Sequence, residues 1–158
     1  GTGVMVLAAS EVEIFNNEIS NNKTANTSIV SYFITEEPIT DSLYYPYPTS
    51  VYVHDNKYKR DKQFPSLSFD QPIGFLLAYN FWRDVPDIIY DGIIDSSKIK
   101  EGILLDEYKI CIENNINAEF VNLDAANNFE NMSQDILNHS CSHKRLPNVK
   151  LSLNNDEK

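Results

Sequence analysis

A chain of 158 residues with 13 Lys and Arg against 23 Asp and Glu carries a net charge of −10, which disfavours nucleic acid and anionic membrane as partners, because both are held by clustered cations. Hydrophobic residues make up 42% and aromatics 11%, enough for one continuous core and, at this length, too little for two. The longest apolar run, 73–79, is far short of the ~20 residues that cross a bilayer.

The opening stretch "GTGVMVLAAS" (1–10) reads as a strand through Val4 and Val6, with Ala8 and Ala9 small enough for a tight corner. It has neither the initiating Met nor the positive n-region of a signal peptide. A chain that opens inside a strand is expected to be the C-terminal part of a longer one.

"VEIFNNEI" (12–19) introduces a pattern that returns in "VYVHDNKY" (51–58) and "DIIYDGII" (87–94). Aligned, the three place an aliphatic residue at Ile14, Val53 and Ile89 and a ring at Phe15, His54 and Tyr90. Bend pairs follow at Asn16-Asn17, Asp55-Asn56 and Asp91-Gly92, and an apolar residue returns at Ile19, Tyr58 and Ile94. A weaker fourth copy, "ICIENNIN" (110–117), keeps the pair Asn114-Asn115. The copies lie 39, 36 and 23 residues apart, so the longer intervals hold inserted loops.

Apolar alternation is the period of a half-buried strand, and Asn, Asp and Gly accept the left-handed backbone of a sharp bend. Strand, bend and strand in repetition can coil into a parallel β-helix, where each coil completes its neighbour's core. The same pairs also suit two-residue hairpin loops, which makes an antiparallel β-sandwich the alternative. Against it, Asn21-Asn22 and Lys59-Arg60-Asp61 end the segments after the bends too soon for matched hairpin arms.

Between the copies, "TSIVSYF" (27–33) reads as a strand burying Ile29 and Val30. Residues 34–50, with three prolines and three tyrosines, leave the coil as an extended loop. Lys57, Lys59, Arg60 and Lys62, interrupted by Asp61, read as a solvated loop. A short helix is expected within 69–81, with Asp70 as N-cap and Pro72 in its first turn, and a second over about 131–137. The expectation is one all-β domain over 1–153, with long loop insertions and one or two short helices, and a disordered polar tail at 154–158.

The stretch 1–33 resembles the tandem repeats of right-handed parallel β-helix proteins of the pectate-lyase-like superfamily. "PDIIYDGIID" and "CIENN…FVNLDA…C…LPNV" resemble segments from a group of bacterial envelope β-helix proteins within it. Members of that group carry signal or lipoprotein peptides. They often occur beside a second envelope protein, in some cases one with cytochrome-c-like features. The resemblance therefore implies a periplasmic, outer-membrane-surface or secreted location and a polypeptide partner, either the upstream chain or another envelope protein. It carries no catalytic residues over.

In an envelope protein the even cysteine count suggests a Cys111–Cys141 disulfide. The competing reading is a metal site in "HSCSH", where His139, Cys141 and His143 would share one face of a strand and bind zinc or copper. Asp84, Asp87, Asp91 and Asp95 cluster in "RDVPDIIYDGIIDSS". In pectate-lyase-like enzymes such carboxylates commonly bind calcium, so Asp87, Asp91 and Asp95 are candidate ligands, with Arg83 or Arg60 as base or sugar clamp. The favoured reading makes them turn residues, with no cofactor. Tyr45, Tyr47 and Trp82, among Tyr44, Tyr52, Tyr79 and Phe81, are candidates for stacking on a sugar, although packing of the loop onto the coil is the favoured reading. The four N-x-[ST] sequons, at Asn22, Asn26, Asn131 and Asn138, arise by chance in an Asn-rich chain. "DSL" (41–43) has the form of a bacterial O-glycosylation site, which would modify Ser42.

The expected function is a non-catalytic binding or structural module of an envelope or secreted protein. The alternative is a lyase or epimerase acting on acidic polysaccharide. A weaker third reading, a part in a redox or metal-delivery complex, rests on "HSCSH".

Overall fold

The computed structural model describes residues 1–68 and 73–147. The expected cap at Asp70, Pro72 and the tail at 154–158 lie outside them. The described chain is all-β apart from one α-helix and short 3-10 turns. Its strands are β1 (Thr2–Leu7), β2 (Ser10–Phe15), β3 (Glu18–Ser20), β4 (Ala25–Val30), β5 (Thr49–His54), β6 (Lys57–Lys59), β7 (Ile88–Tyr90), β8 (Ile99–Lys100), β9 (Ile103–Leu104), β10 (Ile110–Glu113) and β11 (Phe120–Asn122), with helix α1 (Ile73–Phe81) between β6 and β7.

Three sheets are parallel. The first runs β1-β4-β7-β11, the second β2-β5-β10, and the third pairs β3 with β6, extended by a parallel bridge from Lys57 to Ile116. The chain visits first, second and third sheet in that order and then starts again. Among the described residues the antiparallel pairings are the β8–β9 hairpin and a bridge between Asn122 and Ser133. The antiparallel sandwich is therefore overturned. β2 and β3, on either side of Asn16-Asn17, pair not with each other but with β5 and β6.

Register explains the alternation. In the second sheet Val12, Val51 and Ile110 form one inward row and Ile14, Val53 and Ile112 the next. These side chains meet Val6, Ile29, Ile88 and Phe120 of the first sheet and Ile19 and Tyr58 of the third in one core. Tyr58 is fully buried, and its hydroxyl pairs with that of Thr27 at 2.9 Å. The first sheet is covered on its other face as well. Leu77 of α1, with Ile73 and Phe81, packs with Val85, Ile89, Val121 and Leu123 in a second cluster. A strand buried on both faces reads as a continuous apolar run, which is the pattern of "DIIY".

That covering corrects the repeat. The pairs Asn16-Asn17, Asp55-Asn56 and Asn114-Asn115 stack in one column, the corner from second to third sheet, whereas Asp91-Gly92 turns the chain out of the first sheet. At the stacked corner Asn16, Asp55 and Asn114 all take left-handed φ (54°, 51° and 52°), and at the other corner Gly92 does so (82°). The weak fourth copy is the third member of the column, in register with β2 and β5.

Behind each bend runs an asparagine ladder. The Nδ2 of Asn17, Asn56 and Asn115 donates to the carbonyl two residues earlier, at Phe15, His54 and Glu113. Between neighbouring bends, Asn17 Nδ2 and backbone N–H donate to Asn56 Oδ1 (3.0 and 3.1 Å). Asn56 gives the same pair to Asn115 Oδ1, each at 3.0 Å. Asn56 Nδ2 also reaches the Ile14 carbonyl, and Asn115 Nδ2 that of Val53. The expected second helix over 131–137 is absent. Ser133 there exchanges backbone hydrogen bonds with Asn122, and a 3-10 turn occupies Leu137–His139.

Candidate functional site

Because Val12, Ile14, Val51, Val53, Ile110 and Ile112 point inward, their neighbours Glu13, Phe15, Tyr52, His54, Cys111 and Glu113 form the outer face of the second sheet. Segment 139–147 returns across that face. The Cys111–Cys141 disulfide anchors it, with Cα atoms 4.8 Å apart. His139 Nδ1 bonds the Ile110 carbonyl (2.9 Å) and His143 Nε2 that of Lys109 (2.8 Å). Burial lowers the pKa of His139.

Under this strap lies a polar and aromatic cluster. His54 is buried, its Nδ1 2.7 Å from Asp55 Oδ2 and its Nε2 2.9 Å from Glu13 Oε1. Its ring stacks on Tyr52 (centroids 4.0 Å apart) and on Phe15 (5.4 Å, interplanar angle 4°). Tyr52 Oη donates to Glu113 Oε2 at 2.9 Å. Glu13 Oε1 also accepts from Arg145 Nε (3.0 Å), and Oε2 from the Leu146 N–H (3.1 Å). The Arg145 guanidinium lies 4.3 Å from the Phe15 ring centroid. Beside the strap opens a cleft of about 500 Å3 lined by Glu11, Glu13, Tyr52, Glu107, Tyr108 and Arg145, among others.

Burial opposes ionisation of Glu13, but hydrogen bonds from His54, Leu146 and Arg145 outweigh it and hold the carboxyl below the usual glutamate range. A depressed carboxyl stabilises the fold above its unfolded pKa, and the contribution is lost as pH falls through the folded value. The gap in urea midpoint between wild type and Glu13→Gln is therefore expected to be full at pH 7 and to shrink below about pH 4.5. A gap unchanged at pH 3 would sink this assignment.

Both Glu13 oxygens and both His54 nitrogens are engaged, and Ser50, whose residue lines the cleft, donates its hydroxyl hydrogen to the Glu107 carbonyl (2.5 Å).

The sequence candidates fall elsewhere. The disulfide ends the "HSCSH" metal site: Cys141 is bonded to Cys111, and 139–143 form no strand on which His139 and His143 could align. Asp87, Asp91 and Asp95 do not converge, and the described residues contain no group of three or more His, Cys, Asp or Glu placed to hold a metal. Asp87 accepts from Asn26 Nδ2 (2.6 Å) and the Glu119 N–H (3.2 Å). Asp91 is fully buried and accepts from the Ser31 N–H and hydroxyl, each at 2.7 Å. Burial raises its pKa against the pull of these bonds. Asp95 caps a 3-10 turn through the Ser97 N–H and accepts from Tyr45 Oη.

Arg60 holds the carbonyls of Asn22, Lys23 and Thr24, with the charges of Asp87 and Asp84 opposing the burial that lowers its pKa, and Arg83 holds that of Lys62. Tyr45 and Tyr47 pack on each other, and Tyr47 on Phe33, whereas Trp82 contacts Phe64 on another loop. The three form no shared platform. Ser42 sits in an exposed turn closed by the Asp41 side chain on the Leu43 N–H.

Sequence reasoning missed Glu13 and Arg145. Glu13 looks like an ordinary solvent-facing strand residue, and its partner lies 132 positions away. Comparison with known proteins adds no relative: no family model, no curated protein and no solved structure matches the chain.

Proposed function

We propose that this chain is a non-catalytic binding and structural module, a right-handed parallel β-helix of a secreted or bacterial envelope protein that packs against a neighbouring polypeptide. The repeated visiting order of three parallel sheets and the stacked Asn column support the coil, and the usual chirality of parallel crossovers supports its hand. The disulfide supports an oxidising compartment. Among the described residues no helix is long and apolar enough to cross a membrane.

One observation carries the binding reading. Among the described residues β1, β2 and β3 are the outermost strands of their sheets and lie in the same coil, so three strand edges without a described partner face one way. Between them is an opening of about 600 Å3 lined by Val4, Ile14 and Ile19 together with Asn17 and Asn22. Free edges around a floor of mixed apolar and polar side chains are a template for added strands. The occupant fitting this reading is an extended polypeptide, the upstream chain or a second envelope protein.

Hydrogen exchange tests it. In the isolated monomer, amides of β1–β3 are expected to exchange much faster than those of the central strand β5. Equal protection in a monodisperse monomer would remove the need for a partner. Incubation with polygalacturonate, with and without calcium, is expected to yield no unsaturated product, and its appearance would replace the binding reading with a lyase.

A further inference from the structure

The strongest unassigned feature is the contact between the strap and the outer face of the second sheet, because its two sides are built so differently. On the sheet side the Glu13 side chain is only 7% exposed, fixed by His54, which is itself held by Asp55 and clamped between Phe15 and Tyr52. None of those supports comes from the strap. On the strap side Arg145 is 61% exposed and Leu146 42%. A rigid, largely buried acceptor holding a loosely seated cation is the relation of a receptor to its ligand.

The geometry points to a recognition site for an arginine-bearing extended peptide of a partner protein, which residues 144–147 of this chain occupy in cis. The chemistry is specific at three points. A carboxylate meets the guanidinium Nε at 3.0 Å, an aromatic ring carries the guanidinium 4.3 Å from its centroid, and the second carboxylate oxygen accepts the next residue's backbone N–H at 3.1 Å. Ring and carboxylate together favour planar Arg over Lys, and the N–H contact selects a peptide over free arginine. The adjoining 500 Å3 cleft, with Glu11 and Glu107 on its wall, gives room and negative charge for residues flanking the arginine. The net charge of −10 steers basic segments toward such a surface. The site borders the open end of the sheets, since Glu13 and Phe15 belong to the edge strand β2 and Glu13 lines both openings, but its contacts run to the outer face of that strand.

The internal segment competes with any external peptide at an effective concentration in roughly the millimolar range. Vacating the site on the full oxidised chain is therefore the test. The probe is the acetylated, amidated tetrapeptide Lys-Arg-Leu-Pro, followed through the ring resonances of Phe15 and His54, which also report that each variant is folded. Arg145→Ala and Arg145→Gln are each expected to bind the probe roughly tenfold more tightly than wild type. A probe with citrulline in place of arginine is expected to lose that gain, and so is the double variant carrying Glu13→Gln. The proposal is overturned if neither single variant binds better than wild type, if the citrulline probe binds equally, or if the shifts map away from Phe15 and His54. Concentration-dependent dimerisation of the wild type with the same ring shifts would give the site to a second copy of this chain, and would also overturn it.

Discussion

Replacing Asn56 by alanine is expected to cost roughly 3 kcal/mol of folding stability, read as a lower urea midpoint at unchanged m value. Asn56 is fully buried at the centre of its column. Its Oδ1 takes two donors from Asn17, and its Nδ2 serves the carbonyls of Ile14 and His54 and Oδ1 of Asn115. Alanine strands all of these without admitting water to the interior, and an unsatisfied buried group costs about 1–3 kcal/mol. Asn17 is exposed and Asn115 half-buried, so alanine there is expected to cost only about 1 kcal/mol, since water replaces part of what is lost. Asn56→Asp keeps the shape but removes both donors, and it is expected to fall near alanine. Equal small losses at 17, 56 and 115 would show that the column is decoration rather than support.

Loss of the Cys111–Cys141 bond is the second large effect. The bridge closes a loop of 30 residues, for which the chain-entropy relation gives roughly 3–4 kcal/mol. The double variant Cys111→Ser with Cys141→Ser should therefore unfold at a clearly lower denaturant concentration, matching the wild type under reducing conditions. Intact mass under denaturing, non-reducing conditions should be lighter by two hydrogens than after reduction. The two sites differ in reach. Without the bridge the strap at 139–147 loses its only covalent hold among the described residues, so amide exchange should rise there first, whereas Asn56→Ala should loosen three strands together. A reduced protein as stable as the oxidised one would mean that His139, His143 and Arg145 hold the strap unaided.

How far residues betray the fold depends on what each face touches. β2 and β5 were legible because one face meets the core and the other does not, which writes strict alternation into "VEIF" and "VYVH". β7 misled the alignment because α1 covers its second face, so Ile88, Ile89 and Tyr90 are all buried and the alternation disappears. The bend residues were legible through their backbone demand, since Asn16, Asp55 and Asn114 sit where other side chains are strained. Their mutual hydrogen bonds were not, because stacking is a property of neighbouring strands in a sheet. The candidate site was illegible for the same reason in stronger form. Glu13, His54 and Arg145 come from three distant segments, and nothing near any of them announces the others.

The three kinds of connection between the parallel sheets behave very differently in length. Between the second and third sheets the chain spends two residues every time, at 16–17, 55–56 and 114–115 for the strands that run through to β3, β6 and the Ile116 bridge. The other two corners admit anything from Ala8-Ala9 to the stretch holding α1. One connection therefore acts as the datum from which every pass through the three sheets is indexed, and the other two are free to vary. A single residue inserted between Asn16 and Asn17 would turn the following inward side chains outward. A longer insertion at 36–48 would add only loop-closure entropy, which grows slowly with length. Tolerance to change in this molecule is thus a matter of which two sheets a connection joins, rather than of its place along the chain.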